Sequence, residues 1–410
     1  MRSRATAPLL LSALSIALTG CVGGHGKYTK EHISLAEERM SFMKSATEWD
    51  LARQAFLAGD LEKALDKVDG SLQINDQVVK SHVLKGRILI EMGELGAAIR
   101  SLQEAEAINP QDPDTQYYLG VVFERLNRPE DALVHFKNAC ELDDYSASHA
   151  VAAAEMMIDL DQLAEARSYL LTIPMANDNA GIRQTLGQIA LIENDTVQAE
   201  QHFSDARLLA PDDDQILEQL VHAQLLNGNF RDAERNLDKL LSQYNNKDRR
   251  DLKLMHAQAL VGTGRPVEAR TLYQDLISGK QGQSDIESWV GLGQTSLMVH
   301  DTRTARRAAS RIVALAPNSH EGFVLWAMIH HDAEDINAAY ISINDAIDRN
   351  NKDAELFAFR AMIERDLGQV DRALASANRA AQLDPSNPQY ARFASFLEQA
   401  IVATAPGADD

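Results

Sequence analysis

His330, His331 and Asp332 are the side chains of this sequence that most suggest metal chemistry, because imidazole nitrogens and carboxylates are good zinc ligands when three or four converge. Adjacent residues on a helix point about 100° apart, so both histidines cannot reach one ion without ligands from elsewhere. Helical register turns His330 toward a core and His331 toward an open groove, which predicts one packed and one solvated histidine. Cys140 lies on an apolar helix face and reads as core rather than nucleophile. The glycine pairs in "VGTGRP" and "GLGQTS" follow no strand, so neither is a phosphate loop. No coherent set of acid, base, nucleophile or ligand emerges. The expectation is a binding protein with no enzymatic activity, no metal and no cofactor.

The elements that carry these residues repeat. Ala64, Ala98, Ala132, Ala166, Ala199, Ala233, Ala269, Ala305, Ala339 and Ala373 follow one another at intervals of 34, 34, 34, 33, 34, 36, 36, 34 and 34 residues. A small residue recurring once per unit marks where two helices approach too closely for a larger one. "TQYYLGVVFERLNRPEDALVHFKNACELD" shows the unit best. Tyr118, Val122, Phe123 and Leu126 share one helical face, Asn127-Arg128-Pro129 interrupts it, and Pro129 can open the next helix. Ala132, Phe136 and Ala139 form the second apolar stripe.

This unit resembles the tetratricopeptide repeat. Leu119 and Gly120 fill its first-helix positions, and Ala132, Phe136 and Ala139 its second-helix positions. Trp289, Leu292 and Gly293 match the first-helix signature, and Pro110, Pro211, Pro317 and Pro385 the terminal proline. Turn pairs such as Gly59-Asp60, Gly93-Glu94, Asn194-Asp195, Gly228-Asn229 and Gly264-Arg265 fit as well. The resemblance implies an all-α, right-handed superhelical solenoid of about ten helix-turn-helix repeats. In such an array each repeat packs only on its neighbours and the ends need caps.

The start of the chain resembles a bacterial lipoprotein signal. Arg2 and Arg4 precede an apolar run from Leu9 to Leu18, and Leu18-Thr19-Gly20-Cys21 stands where a cleavage site is expected. That run is shorter than the roughly 20 apolar residues a spanning helix needs. The resemblance implies cleavage before Cys21 and acylation of its sulfur and new amino group. Several chains on one residue make a firm anchor. Val22, rather than aspartate, follows the cysteine, which in that family points to the outer membrane, facing the periplasm, over the inner membrane. With Cys21 lipidated, Cys140 has no disulfide partner. Removing two arginines takes the net charge from -20 to about -22 (38 basic against 60 acidic side chains), which argues against nucleic acid as a partner.

The expected organisation is a signal at 1–20, a flexible tether at 21–29 and a capping helix at 30–44. Repeats 1–4 occupy 45–173, a discontinuity set by Pro174 falls at 174–179, and repeats 5–10 occupy 180–387. A C-terminal capping helix at 388–403 uses Tyr390, Phe393, Leu397 and Ile401, and 404–410 is a disordered tail. The polar connections "SQYNNKDRRD" and "SGKQGQSD" read as spacers.

In the tetratricopeptide family the first helices line a concave groove that holds partner peptides or helices. That register assigns Trp49, Arg53, Phe56, Lys80, Val83, Arg87, Ile90, Tyr117 and Arg125 to the groove near the amino end. Glu155, Gln188, Glu218, His222, Glu287, Val290, Val324 and Met328 follow. Aromatic and arginine side chains are efficient anchors, so the first set suits an acidic or extended peptide. Trp49 and Phe56 fit equally a role in packing beneath a neighbouring helix. The carboxylate clamp of chaperone-binding relatives is not evident. Fold and anchor together resemble lipidated assembly factors of type IV or Flp-type pili and secretins, or else adaptors that organise cell-wall enzymes. Oligomeric state is left open.

Overall fold

A computed structural model describes residues 27–143, 146–174 and 176–404, and all the regular structure among them is helical. The signal, Cys21 and the tail beyond Thr404 lie outside the described residues. The chain divides into two compact units at Gln162/Leu163. The first holds α1 (Lys27–Leu57), α2 (Leu61–Ile74), α3 (Val79–Glu91), α4 (Leu95–Ile108), α5 (Pro113–Arg125), α6 (Pro129–Leu142) and α7 (Ala147–Asp159). The second runs α8 (Leu163–Thr172), α9 (Ala180–Ile192), α10 (Thr196–Leu209), α11 (Asp214–Leu226), α12 (Phe230–Leu241), α13 (Arg250–Gly262), α14 (Pro266–Leu276) and α15 (Gly279–Gly282). It continues with α16 (Ile286–Met298), α17 (Thr302–Leu315), α18 (Glu321–Asp332), α19 (Ile336–Arg349), α20 (Ala354–Asp366), α21 (Val370–Leu383) and α22 (Pro388–Thr404). Among the described residues no helix is long and apolar enough to cross a membrane.

One steric pattern builds the helix pairs. All ten periodic alanines are fully buried on second helices. A residue with positive φ sits five positions before each of them, at Gly59, Gly93, Asn127, Asp161, Asn194, Gly228, Gly264, His300, Glu334 and Gly368. The next amide then donates back to a first-helix carbonyl, as Arg128 N does to Phe123 O at 2.9 Å and Asp335 N to His330 O at 2.9 Å. This bond closes a left-handed helix end. Aspartates then start many second helices: the Asp60, Asp195, Asp301 and Asp335 carboxylates accept from amides of the first turn. First helices come closest where they carry glycine. A Cβ at Gly120 would lie 2.6 Å from the Phe136 ring, and one at Gly187 2.7 Å from Phe203.

Ion pairs link side chains about one repeat apart, 31 to 35 residues along the chain. In the first unit Arg125 reaches Glu91 at 3.0 Å. In the second, Arg250 reaches Asp285 at 2.7 Å, Arg270 reaches Asp301 at 3.1 Å, and Arg249 takes Glu218.

Two boundaries and one connection differ from the sequence reading. Among the described residues no separate cap covers the first repeat: α1 runs unbroken from Lys27 through the expected tether end, cap and first repeat helix, because "KYTKEHISLAEERMSFMKSATEWDLARQAFL" contains neither glycine nor proline. Pro174 does follow a short second helix, α8 ending at Thr172, but the boundary between the two units falls before that helix, at Gln162/Leu163. The connection "SGKQGQSD" holds the four-residue helix α15. At the other end α22 buries Ala394 and Leu397 against Ala361, Ala373 and Ala377.

Candidate functional site

The groove of the first unit is built by α1, α3, α5 and α7. Trp49, Arg53, Lys80, Val83 and Arg87, five of the positions given by register, line a single open cavity of about 260 Å³. The Trp49 indole donates to the Lys80 carbonyl at 3.0 Å, which fixes the ring against α3. The Arg53 guanidinium stands 5.7 Å from the centre of that ring. Arg87 lies between two aromatic faces, 5.1 Å from Phe56 and 4.9 Å from Tyr118, where cation–π attraction holds it. Its Nε is buried without a hydrogen-bond partner. Arg53 and Lys80 are exposed. Three cations therefore converge on one opening.

The other expected groove residues do not line that cavity. Phe56 is half-buried beneath Arg87, and both Phe56 and Trp49 pack on the Ala52, Ala55 and Leu84 cluster. Ile90 is core, like Val83. Tyr117 turns toward α7, its ring 5.0 Å from His149, and its neighbour Tyr118 meets Arg87 instead. Arg125 donates to the Ile90 carbonyl at 3.0 Å as well as to Glu91, so it ties repeats together rather than offering a free charge.

Of the acidic side chains around this groove the register gave Glu155 but not Asp112, Asp114 or Glu124. Asp112 and Asp114 also line the cavity, and Asp112 caps α5 by accepting from Thr115 N at 2.8 Å. Their signal was the Asp112-Pro113 helix start, which places a carboxylate at the lip. Beyond them Glu124 and Glu155 form an acidic end with Asp159. Burial, first, raises both glutamates above their ordinary value; repulsion from Asp159 adds to it at Glu124, against an opposing pull from Arg125, and repulsion from Glu124 and Asp159 adds to it at Glu155. The same two glutamates, after burial, push the Tyr117 phenol up. The groove of this unit thus runs from a basic-aromatic end to an acidic one, a polarity that suits an extended chain bound in one direction.

In the second unit His330 stacks on Trp326 at 5.5 Å, while His331 accompanies Val324 and Met328 in an open cavity and bonds Asp366 at 2.9 Å. Glu218 is held by Arg249, and Glu287 accepts from Gln258 at 3.3 Å. Cys140 is buried in the first unit. Glu234, Asp238 and His256 bring three potential ligand atoms within 4.8 Å of one another. Arg265 already sits on Glu234, and the His256 ring lies 3.5 Å from Asp238, so both carboxylates have partners within the protein.

Comparison with known proteins gives the class. Residues 86–127 match a model described as TPR repeat, and residues 219–285 one described as tetratricopeptide repeat. Anaphase-promoting complex subunit 3 of Schizosaccharomyces pombe is 26% identical over 103 residues, 25% of this chain and only 15% of that protein. Among solved structures, the APC/C hetero-tetramer Cut9-Hcn1 aligns over 90% of this chain and 86% of its own, at TM-score 0.41 and 11% identity. PilW, described as a widely conserved type IV pilus biogenesis factor, aligns over 49% of this chain and 94% of its own, at TM-score 0.44 and 16% identity. Those two likenesses do not bear on what this chain binds. The matched segments and the periodic turn and alanine positions agree on an array of tetratricopeptide repeats, a scaffold for protein–protein interaction.

Proposed function

We propose that this chain is an envelope scaffold, anchored by lipid on Cys21 to the outer membrane and facing the periplasm. It captures a protein partner in the groove of its first unit during assembly of a type IV or Flp-type pilus or secretion system. The observation that carries the binding reading is the convergence of Arg53, Lys80 and Arg87, with Trp49, on one open cavity. The anchor reading is supported by the Leu18-Thr19-Gly20-Cys21 tetrad behind its basic and apolar flanks. With α1 beginning at Lys27, only a few residues separate Cys21 from the first helix. At roughly 3.3–3.6 Å per residue that link keeps the start of α1 at the bilayer, and a helical rise of about 1.5 Å per residue then puts the first groove within some tens of ångströms of it, within reach of a membrane-embedded assembly. Cys21→Ala in the host should move the protein from the membrane pellet to the soluble fraction. A variant that stays in the pellet after a salt wash contradicts the anchor. Affinity capture from detergent-solubilised envelopes should recover pilus or secretion components, and recovery of cell-wall enzymes alone would contradict the assembly role.

A further inference from the structure

The first unit leaves an apolar helix face bare. α2 runs back along α1 only as far as Ser41, whose hydroxyl donates to the Ile74 carbonyl at 3.3 Å, and the earlier portion of α1 projects beyond it. Leu35, Phe42, Trp49 and Phe56 recur every seventh residue along α1, an interval that returns to nearly the same helix face. Trp49 and Phe56 use that face to pack within the repeat. Leu35 and Phe42 continue the stripe where it stays open, at 45% and 61% exposure. They line a shallow cavity with Glu38, Arg39, Met43 and Ile74. Glu38 and Arg39, on the same stretch, have no ion-pair partner among the described residues.

We propose that this projecting portion of α1 is a self-association surface, covered by α1 of a second copy lying antiparallel. A two-fold axis between Glu38 and Arg39 sets Leu35 against Phe42 of the second copy and Glu38 against its Arg39, and symmetry makes each contact twice. The face complements itself in both apolar content and charge, as a closed two-fold interface requires. It continues a stripe that already forms helix–helix contacts within the chain. A bilayer would be a poorer cover, because a helix lying on lipid gathers bases along its polar face, whereas here Glu31, Glu37 and Glu38 are interspersed with Lys27, Lys30, Arg39 and Lys44. This inference rests neither on the groove nor on the lipid.

The test is the protein mass of the full chain in detergent micelles, measured by sedimentation equilibrium. Wild type should show twice the mass of one chain. Phe42→Glu and Arg39→Glu should each halve it, and the swap Glu38→Arg with Arg39→Glu should restore it. All these positions are exposed, so helical circular dichroism should stay unchanged and loss of fold is told apart from loss of contact. A monomeric wild type, a dimer that survives Phe42→Glu, or a swap that fails to restore the dimer would each overturn the proposal. None of these results alters partner capture by Arg53 and Lys80, which is measured separately.

Discussion

Gly120 and Gly70 are both helical glycines, yet alanine should act in opposite directions at the two. Within a helix, alanine is favoured over glycine by about 0.5–1 kcal/mol. At Gly70 the new methyl would meet only the flexible Glu48 side chain, at 3.6 Å, so a gain of that size is expected. At Gly120 it would fall 2.6 Å from the fully buried Phe136 ring, and overpacking of this kind costs about 1–3 kcal/mol. Urea denaturation of the two variants should show Gly70→Ala above wild type and Gly120→Ala below it. Glu124 and Glu155 have folded pKa values above their unfolded ones, so the folded chain binds their protons more tightly. Their contribution therefore favours folding at low pH and is lost as pH rises from the ordinary glutamate value through the raised one. Glu155→Gln should raise Tm near neutral pH, and its advantage should close toward about pH 4, where both states of the wild type hold the proton. A variant no more stable than wild type at neutral pH would contradict this.

The helix turns carry a strain that composition alone does not reveal. His300 and Glu334 occupy the left-handed position that glycine holds in the turns at Gly59, Gly93, Gly228, Gly264 and Gly368. A side chain there costs roughly 1–2 kcal/mol, offset to some extent by the smaller entropy loss of a non-glycine residue on folding. Glu334→Gly should therefore stabilise the second unit by up to about 1 kcal/mol, and Gly264→Ala should destabilise by a similar amount. Thermal melts of both variants check this, and equal melting temperatures would mean the turns are unstrained. The alanine ladder and the second-helix stripes were legible because each repeat poses the same local steric problem. The turns at His300 and Glu334 were not, since the closing bond of the preceding helix sets their conformation whatever the residue. At the groove, Trp49, Arg53, Lys80 and Arg87 were legible from helical register. Two details were not: Tyr118 rather than Tyr117 meets Arg87, and Arg125 is tied to Glu91, because one residue of rotation, or an acid one repeat away, decides which way a side chain turns.

For the molecule as a scaffold, the claim with most consequence is that partner capture depends on the basic end of the first groove. Arg87 is a poor probe of it, because glutamate there would also remove the contacts with Phe56 and Tyr118. Arg53 and Lys80 are exposed and lack ion-pair partners among the described residues, so reversing them should change stability by no more than about 1 kcal/mol, chiefly through the contact of Arg53 with the Trp49 ring. The direct measurement is capture of partners from solubilised envelopes by wild type and by the Arg53→Glu, Lys80→Glu double variant, with circular dichroism on both. Loss of the captured partner with an unchanged helical spectrum is the expected result. Equal recovery of every partner by the two proteins would contradict the assignment of binding to this groove.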